Sequence, residues 1–164
     1  MREFEVGLGM MMIVTRPCVL SISGIGSCIG LTMRDDETMV SGLAHVVLPT
    51  STNMADAYRT PGKYSDTAVR ALIKGLVLVG ASTNRITSKI VGGARVLETG
   101  GFDGARNIES TREELKRSKV SLVAEEVGQA YGRSMKFDTS TGSIVVRRFE
   151  QSPRGPELKD IVTI

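Results

Sequence analysis

The sequence predicts an α+β domain, and three observations carry that expectation. The first half alternates short apolar runs with Gly and Pro punctuation, as consecutive strands do. From Ser65 to Gly80 the apolar residues recur at helical spacing instead. Near the end, runs 134–138 and 143–148 flank Thr139-Ser140-Thr141-Gly142 as a β-hairpin. A chain of 164 residues with 41% hydrophobic content supports one core and not two. The expected organisation is therefore a single domain over 1–148 and a C-terminal tail over 149–164.

In chain order, strands are expected at 10–14, 18–23, 28–34 and 40–48. Residues 49–62 turn polar and end in Pro61-Gly62, so they are expected to cross the surface as a loop. Ser65 offers an N-cap for a helix in which Ala68, Ala71, Leu72, Leu76 and Val79 share one face, with Val69, Ile73 and Val77 beside them. Gly80 ends it. A strand over 85–91 precedes a stretch with Gly92, Gly93, Gly100, Gly101 and Gly104 that reads as loop. Residues 109–119 are charged with few apolar positions and read as an exposed helix, and 122–125 as a short strand. The tail holds Pro153, Gly155 and Pro156 and is expected to wrap or fray.

Composition narrows the function classes. No apolar run approaches the roughly 18 residues of a membrane-spanning helix, and Glu3 and Glu5 stand where a leader would be basic, so membrane insertion is not expected. Two cysteines without a framework of partners fit a reducing compartment, which makes the cytoplasm the expected location. The net charge of +3 comes from basic residues spread along the chain, with no Trp and no aromatic interleaving, which argues against a nucleic-acid partner. One His and two Cys cannot furnish the usual zinc ligand set, no Walker loop is present, and no cofactor is expected.

Any Cys–His or Ser–His chemistry must use His45, the single histidine. The run Gly26-Ser27-Cys28-Ile29-Gly30 has the form glycine, x, nucleophile, x, glycine. Small neighbours around a sharp turn leave room for a substrate carbonyl and free backbone N–H groups, those at Gly26 and Ser27 included, for an oxyanion hole. The run continues as strand and not as helix, so the context that makes the motif diagnostic in α/β-hydrolases is missing. Cysteine is most often a buried small hydrophobe, and a lone histidine in Leu43-Ala44-His45-Val46 is as often a core residue as a catalytic one. Pairing of strands 28–34 and 40–48 across Asp35-Asp36-Glu37 brings Cys28 toward His45, the approach that thiol activation needs.

These residues resemble the CheD family of chemoreceptor glutamine deamidases. The blocks that carry the likeness are Gly24-Ile25-Gly26-Ser27-Cys28, Gly42-Leu43-Ala44-His45-Val46-Val47-Leu48-Pro49, Pro61-Gly62-Lys63-Tyr64-Ser65-Asp66-Thr67-Ala68, Lys89-Ile90-Val91-Gly92-Gly93-Ala94, Gly104-Ala105-Arg106-Asn107 and Ala124-Glu125-Glu126-Val127-Gly128. The resemblance implies β-sheets packed together with helices covering one side, similar to the catalytic domain of cytotoxic necrotizing factor toxins. It implies a Cys28–His45 pair that hydrolyses glutamine carboxamides in methyl-accepting chemotaxis receptors, with receptor methyl esters as a second substrate class. It further implies binding to the CheC phosphatase, so that a regulatory binding partner with weak or no catalysis is the rival reading. Family members place a third catalytic residue, a threonine, where this chain has Ile22; Ser21 and Ser23 flank it as candidates, with a backbone carbonyl as the alternative orienter.

Overall fold

The computed structural model describes residues 1–95 and 103–164. Its strands are β1 (Glu3–Glu5), β2 (Met11–Val14), β3 (Val19–Ile25), β4 (Ile29–Asp35), β5 (Ser41–Val46), β6 (Ile86–Gly92), β7 (Ser121–Val127), β8 (Gly132–Asp138), β9 (Ile144–Ser152) and β10 (Gly155–Thr163). The helices are α1 (Met54–Arg59), α2 (Ser65–Leu78) and α3 (Gly104–Arg117). One five-stranded sheet runs β1-β3-β8-β9-β10 and the other β2-β5-β4-β6-β7.

Side-chain alternation along β4 and β5 sorts the molecule into three layers. Ile29, Leu31, Met33, Ala44 and Val46 face one way and pack on Ala68, Val69, Leu72 and Leu76 of α2 and on Ile108 and Leu115 of α3. Leu43 of β5 and Val91 of β6 face the other way, into a second core with Leu20, Ile22, Ile25, Met135, Phe137, Ile144 and Val146. Helices thus cover one side of a pair of packed sheets, the α+β layering that the resemblance implies. Each fully buried Leu, Ile or Phe contributes about 1.5–3 kcal/mol. None of the described helices is long and apolar enough to cross a membrane.

Four local expectations change. Residues 49–62 contain α1, capped by Asn53, whose side chain accepts from the Ala55 and Asp56 N–H groups. Ser65 is the first residue of α2 and not its cap; its hydroxyl pairs with that of Thr111 at 2.8 Å. The exposed helix starts earlier, at Gly104 behind an Asp103 cap, and buries Asn107, Thr111 and Glu114. Asn107, Thr111 and Glu114 share its inward stripe with Ile108 and Leu115, so a count of apolar residues understates how much of it is buried. Arg70 and Arg117 meet the buried Glu114 carboxylate at 2.8 and 2.6 Å. Of the glycines read as loop, Gly92 ends β6 and Gly104 opens α3, while Gly100 and Gly101 lie outside the described residues.

The tail neither wraps nor frays. It forms β10, antiparallel to β9 with Gly155 opposite Ser152 and Thr163 opposite Val145, and the expected boundary at 148 falls inside β9. Pro153 and Gly155 belong to a hairpin turn, and Pro156 is tolerated because β10 is an edge strand.

Candidate active site

The site is built at the open end of the β4–β5 hairpin. The register sets Ile29 opposite Val46 and Gly30 opposite His45. Directly paired residues point to the same face, so His45 shares the inter-sheet face with Gly30, whose Cα lies against Ile22, Ile25 and Met135. Cys28 sits two residues before Gly30 and packs against that same inter-sheet core. Cys28 and His45 are therefore diagonal neighbours on one face, about 7–8 Å apart along the backbone and within side-chain reach. Gly30 between them has no side chain to obstruct the imidazole. A Cβ at Gly30 would meet the Met135 sulfur, and that side chain would have to move aside.

Cys28 is half-buried at the tip of a tightly held turn. Three successive carbonyls are fastened from behind. Ala94 N–H donates to Gly26 O at 2.9 Å, Asn107 Nδ2 to Ser27 O at 2.8 Å, and Gly93 N–H to Cys28 O at 2.8 Å. The Ser27 and Cys28 N–H groups donate to no other group among the described residues. In a trans peptide the N–H points opposite to the preceding carbonyl, so pinning Gly26 O and Ser27 O turns these two donors toward the open side. Two free N–H groups beside a thiol have the form of an oxyanion hole.

His45 is 4% exposed and held by the N-terminal segment. Its Nδ1 lies 3.4 Å from Val6 O, its own N–H donates to Met10 O, and its carbonyl accepts from Gly9 N–H. Nε2 is buried with no hydrogen-bond partner among the described residues, and is the nitrogen left to take a proton. Neither candidate serine reaches the ring. Ser21 is buried on β3 with no hydrogen bond to His45, and Ser23 is exposed. The pairing of β3 with β8 shifts register between Ile22 and Ile25, so both isoleucines face inward while Ser23 and Gly24 are pushed out. Of the orienters expected from the sequence, the geometry offers the backbone carbonyl, contributed by Val6.

The family model described as CheD chemotactic sensory transduction matches residues 47–148. The chain is 39% identical over 144 residues to the chemoreceptor glutamine deamidase CheD of Thermotoga maritima, covering 87% of this chain and 90% of that one. It is 42% identical over 147 residues to the probable chemoreceptor glutamine deamidase CheD of Symbiobacterium thermophilum, covering 86% and 89%. The chain belongs to the CheD family. A third CheD relative, from Geobacillus kaustophilus, is 35% identical over 163 residues and is covered to 96%, as is this chain. The family-model match begins at Val47, after both Cys28 and His45, so their roles in this CheD chain are argued from the geometry.

Burial controls the protonation of the pair. Desolvation pushes the Cys28 thiol above its ordinary value, offset only in part by the nearby N–H of the same residue. Desolvation also holds His45 below the ordinary histidine value, against the opposing Val6 carbonyl and Glu5 charge. Both shifts favour the neutral forms, thiol and imidazole, near pH 7. A base must be unprotonated to act, and its pKa is depressed. The acid limb of kcat/KM is therefore expected below about pH 6.5, the ordinary histidine value. A pH–rate profile checks this; an acid limb above pH 7 contradicts it.

Asn107 and the Val6 carbonyl are the site groups that sequence reasoning missed. Asn107 left a readable signal, a carboxamide on the inward stripe of a helix together with Thr111 and Glu114. Val6 left none, because a main-chain carbonyl is independent of residue type. Gly92 is a third support, with φ of 120° and a Cβ position that would collide with Cys28 O. Gly92→Ala is expected to destabilise by about 1–3 kcal/mol and to lower activity together with it, read by urea unfolding and turnover.

Proposed function

We propose that this chain hydrolyses glutamine side-chain amides of methyl-accepting chemotaxis receptors, with Cys28 as nucleophile and His45 as general base and acid. The observation that carries the reading is the placement of a half-buried thiol beside two unused N–H groups, on the same face as the unpartnered Nε2 of the single histidine. The receptor as substrate comes from the relatives, whose names state chemoreceptor glutamine deamidation.

The Cys28 sulfur attacks the carboxamide carbon while its proton passes to His45 Nε2. The carbonyl oxygen becomes an oxyanion held by the Ser27 and Cys28 N–H groups. Collapse breaks the C–N bond, and ammonia leaves with the proton returned by the imidazolium. Water then attacks the thioester, giving its proton to His45. The C–S bond breaks, releasing a glutamate side chain and restoring the thiol. A methyl ester follows the same route with methanol as leaving group. Val6 O accepts from the Nδ1–H tautomer throughout and leaves Nε2 as the reacting nitrogen.

The free thiols of Cys18 and Cys28 support a cytoplasmic location, where they stay reduced. Binding to the CheC phosphatase would couple the activity to receptor adaptation. The test uses a purified cytoplasmic receptor fragment, with ammonia release followed by mass mapping of glutamines converted to glutamate. Conversion at defined glutamines is the expected result. Tight association with CheC and no ammonia release overturns the catalytic reading and leaves the binding one.

A further inference from the structure

Asn107 is fully buried, and its side chain joins the two halves of the site from the helix layer. Its Nδ2 donates to Ser27 O at 2.8 Å and to Val47 O at 2.9 Å. Ser27 immediately precedes the cysteine, and Val47 lies two residues beyond His45. Both acceptors are carbonyls, so the carboxamide must face them with its NH2 group, and chemistry fixes the orientation. Its Oδ1 is left buried with no partner among the described residues. An unsatisfied buried acceptor is costly, and one retained beside a reactive centre calls for a role.

The contact to Ser27 O gives that role. The same peptide plane carries Ser27 C=O on one side and Cys28 N–H on the other, so whatever holds the carbonyl aims the N–H. Ala94 and Gly93 hold the carbonyls of Gly26 and Cys28 through backbone N–H groups. The middle carbonyl alone is held by a side chain, and α3 would otherwise have no hydrogen bond to this turn among the described residues. We propose that Asn107 is a positioning residue that aims the Cys28 N–H into the oxyanion hole and fixes the spacing between the nucleophile strand and the base strand. It touches neither sulfur nor substrate. The inference rests on the Cys28–His45 reading and extends it to the part of the site that stabilises charge.

Two reactions of the same sulfur separate this role from simple scaffolding. Amide hydrolysis passes through an oxyanion; alkylation by iodoacetamide displaces iodide at a saturated carbon and forms none. Removing an oxyanion donor outright typically costs 10²–10³-fold in kcat, so misaiming one is expected to cost about 10–100-fold. Asn107→Ala and the near-isosteric Asn107→Asp are made in the full chain and checked for folding by thermal melting. The expected result is a kcat for receptor-fragment deamidation lower by about 10–100-fold, with KM and the Cys28 alkylation rate each within about threefold of the parent. In Asn107→Asp a protonated carboxyl can again donate one hydrogen bond, so the ratio of variant to parent kcat should rise as pH falls.

Parent-like kcat in a folded variant overturns the inference, as does alkylation falling in step with kcat. Failure of both variants to fold also overturns it, since Asn107 is then a structural post. Cys28→Ala is the separate control. If that variant still deamidates, the catalytic reading itself fails; if it is inactive while the Asn107 variants are normal, only the positioning role is lost.

Discussion

Cys28→Ala is expected to lower receptor-fragment deamidation by a factor on the order of 10⁴ or more, while Cys18→Ala keeps most of it. The two cysteines are chemically identical and differ only in setting. Cys18 is 4% exposed, its N–H donates to Thr139 Oγ1 at 2.9 Å, and its carbonyl accepts from the same hydroxyl at 2.9 Å. It packs in the inter-sheet core, away from His45 and the Cys28 turn. Cys28 is only half-buried and lies beside free N–H groups. Removing the Cys18 sulfur should therefore appear as lost stability, about 1 kcal/mol for one buried atom, and not as lost turnover. Ammonia release by the two folded variants decides the matter, and equal losses would remove Cys28 from its role.

Much of this arrangement was legible because hydrophobic patterning and glycine placement are local signals. The acidic turn Asp35-Asp36-Glu37 between two apolar runs made β4 and β5 legible as a hairpin, and with it the approach of Cys28 to His45. The α2 stripe was plain because Ala68, Leu72 and Leu76 are both apolar and buried. Where burial is polar the same reasoning goes blind. Asn107, Thr111 and Glu114 face inward on α3 but read as a solvated surface. Pro153, Gly155 and Pro156 read as the end of order because breaker residues look alike in a tail and in a hairpin turn. Ser21 and Ser23 were chosen by sequence distance from Ile22; strand alternation and the register shift in β3 carry both away from His45. The Val6 carbonyl has no sequence signature at all.

His45→Ala is expected to be about as damaging as loss of the nucleophile, because the pair acts as one unit and no second histidine exists. The double variant Cys28→Ala/His45→Ala should then be no worse than either single one. The pH dependence of His45→Ala carries further information. With the imidazole present, the thiol gives up its proton only as attack proceeds, and burial-raised acidity at Cys28 is no obstacle near neutral pH. Without it, reaction must await the thiolate, whose fraction grows tenfold per pH unit until the pH passes the Cys28 value, which lies above the ordinary 9.0. The deficit relative to the parent should consequently shrink as pH rises from 7 toward 10, although the variant remains the slower enzyme throughout. Turnover of both forms across that range measures it. A deficit constant with pH would mean that His45 holds the turn and does not move the proton, and near-parent turnover in folded His45→Ala would require a different base.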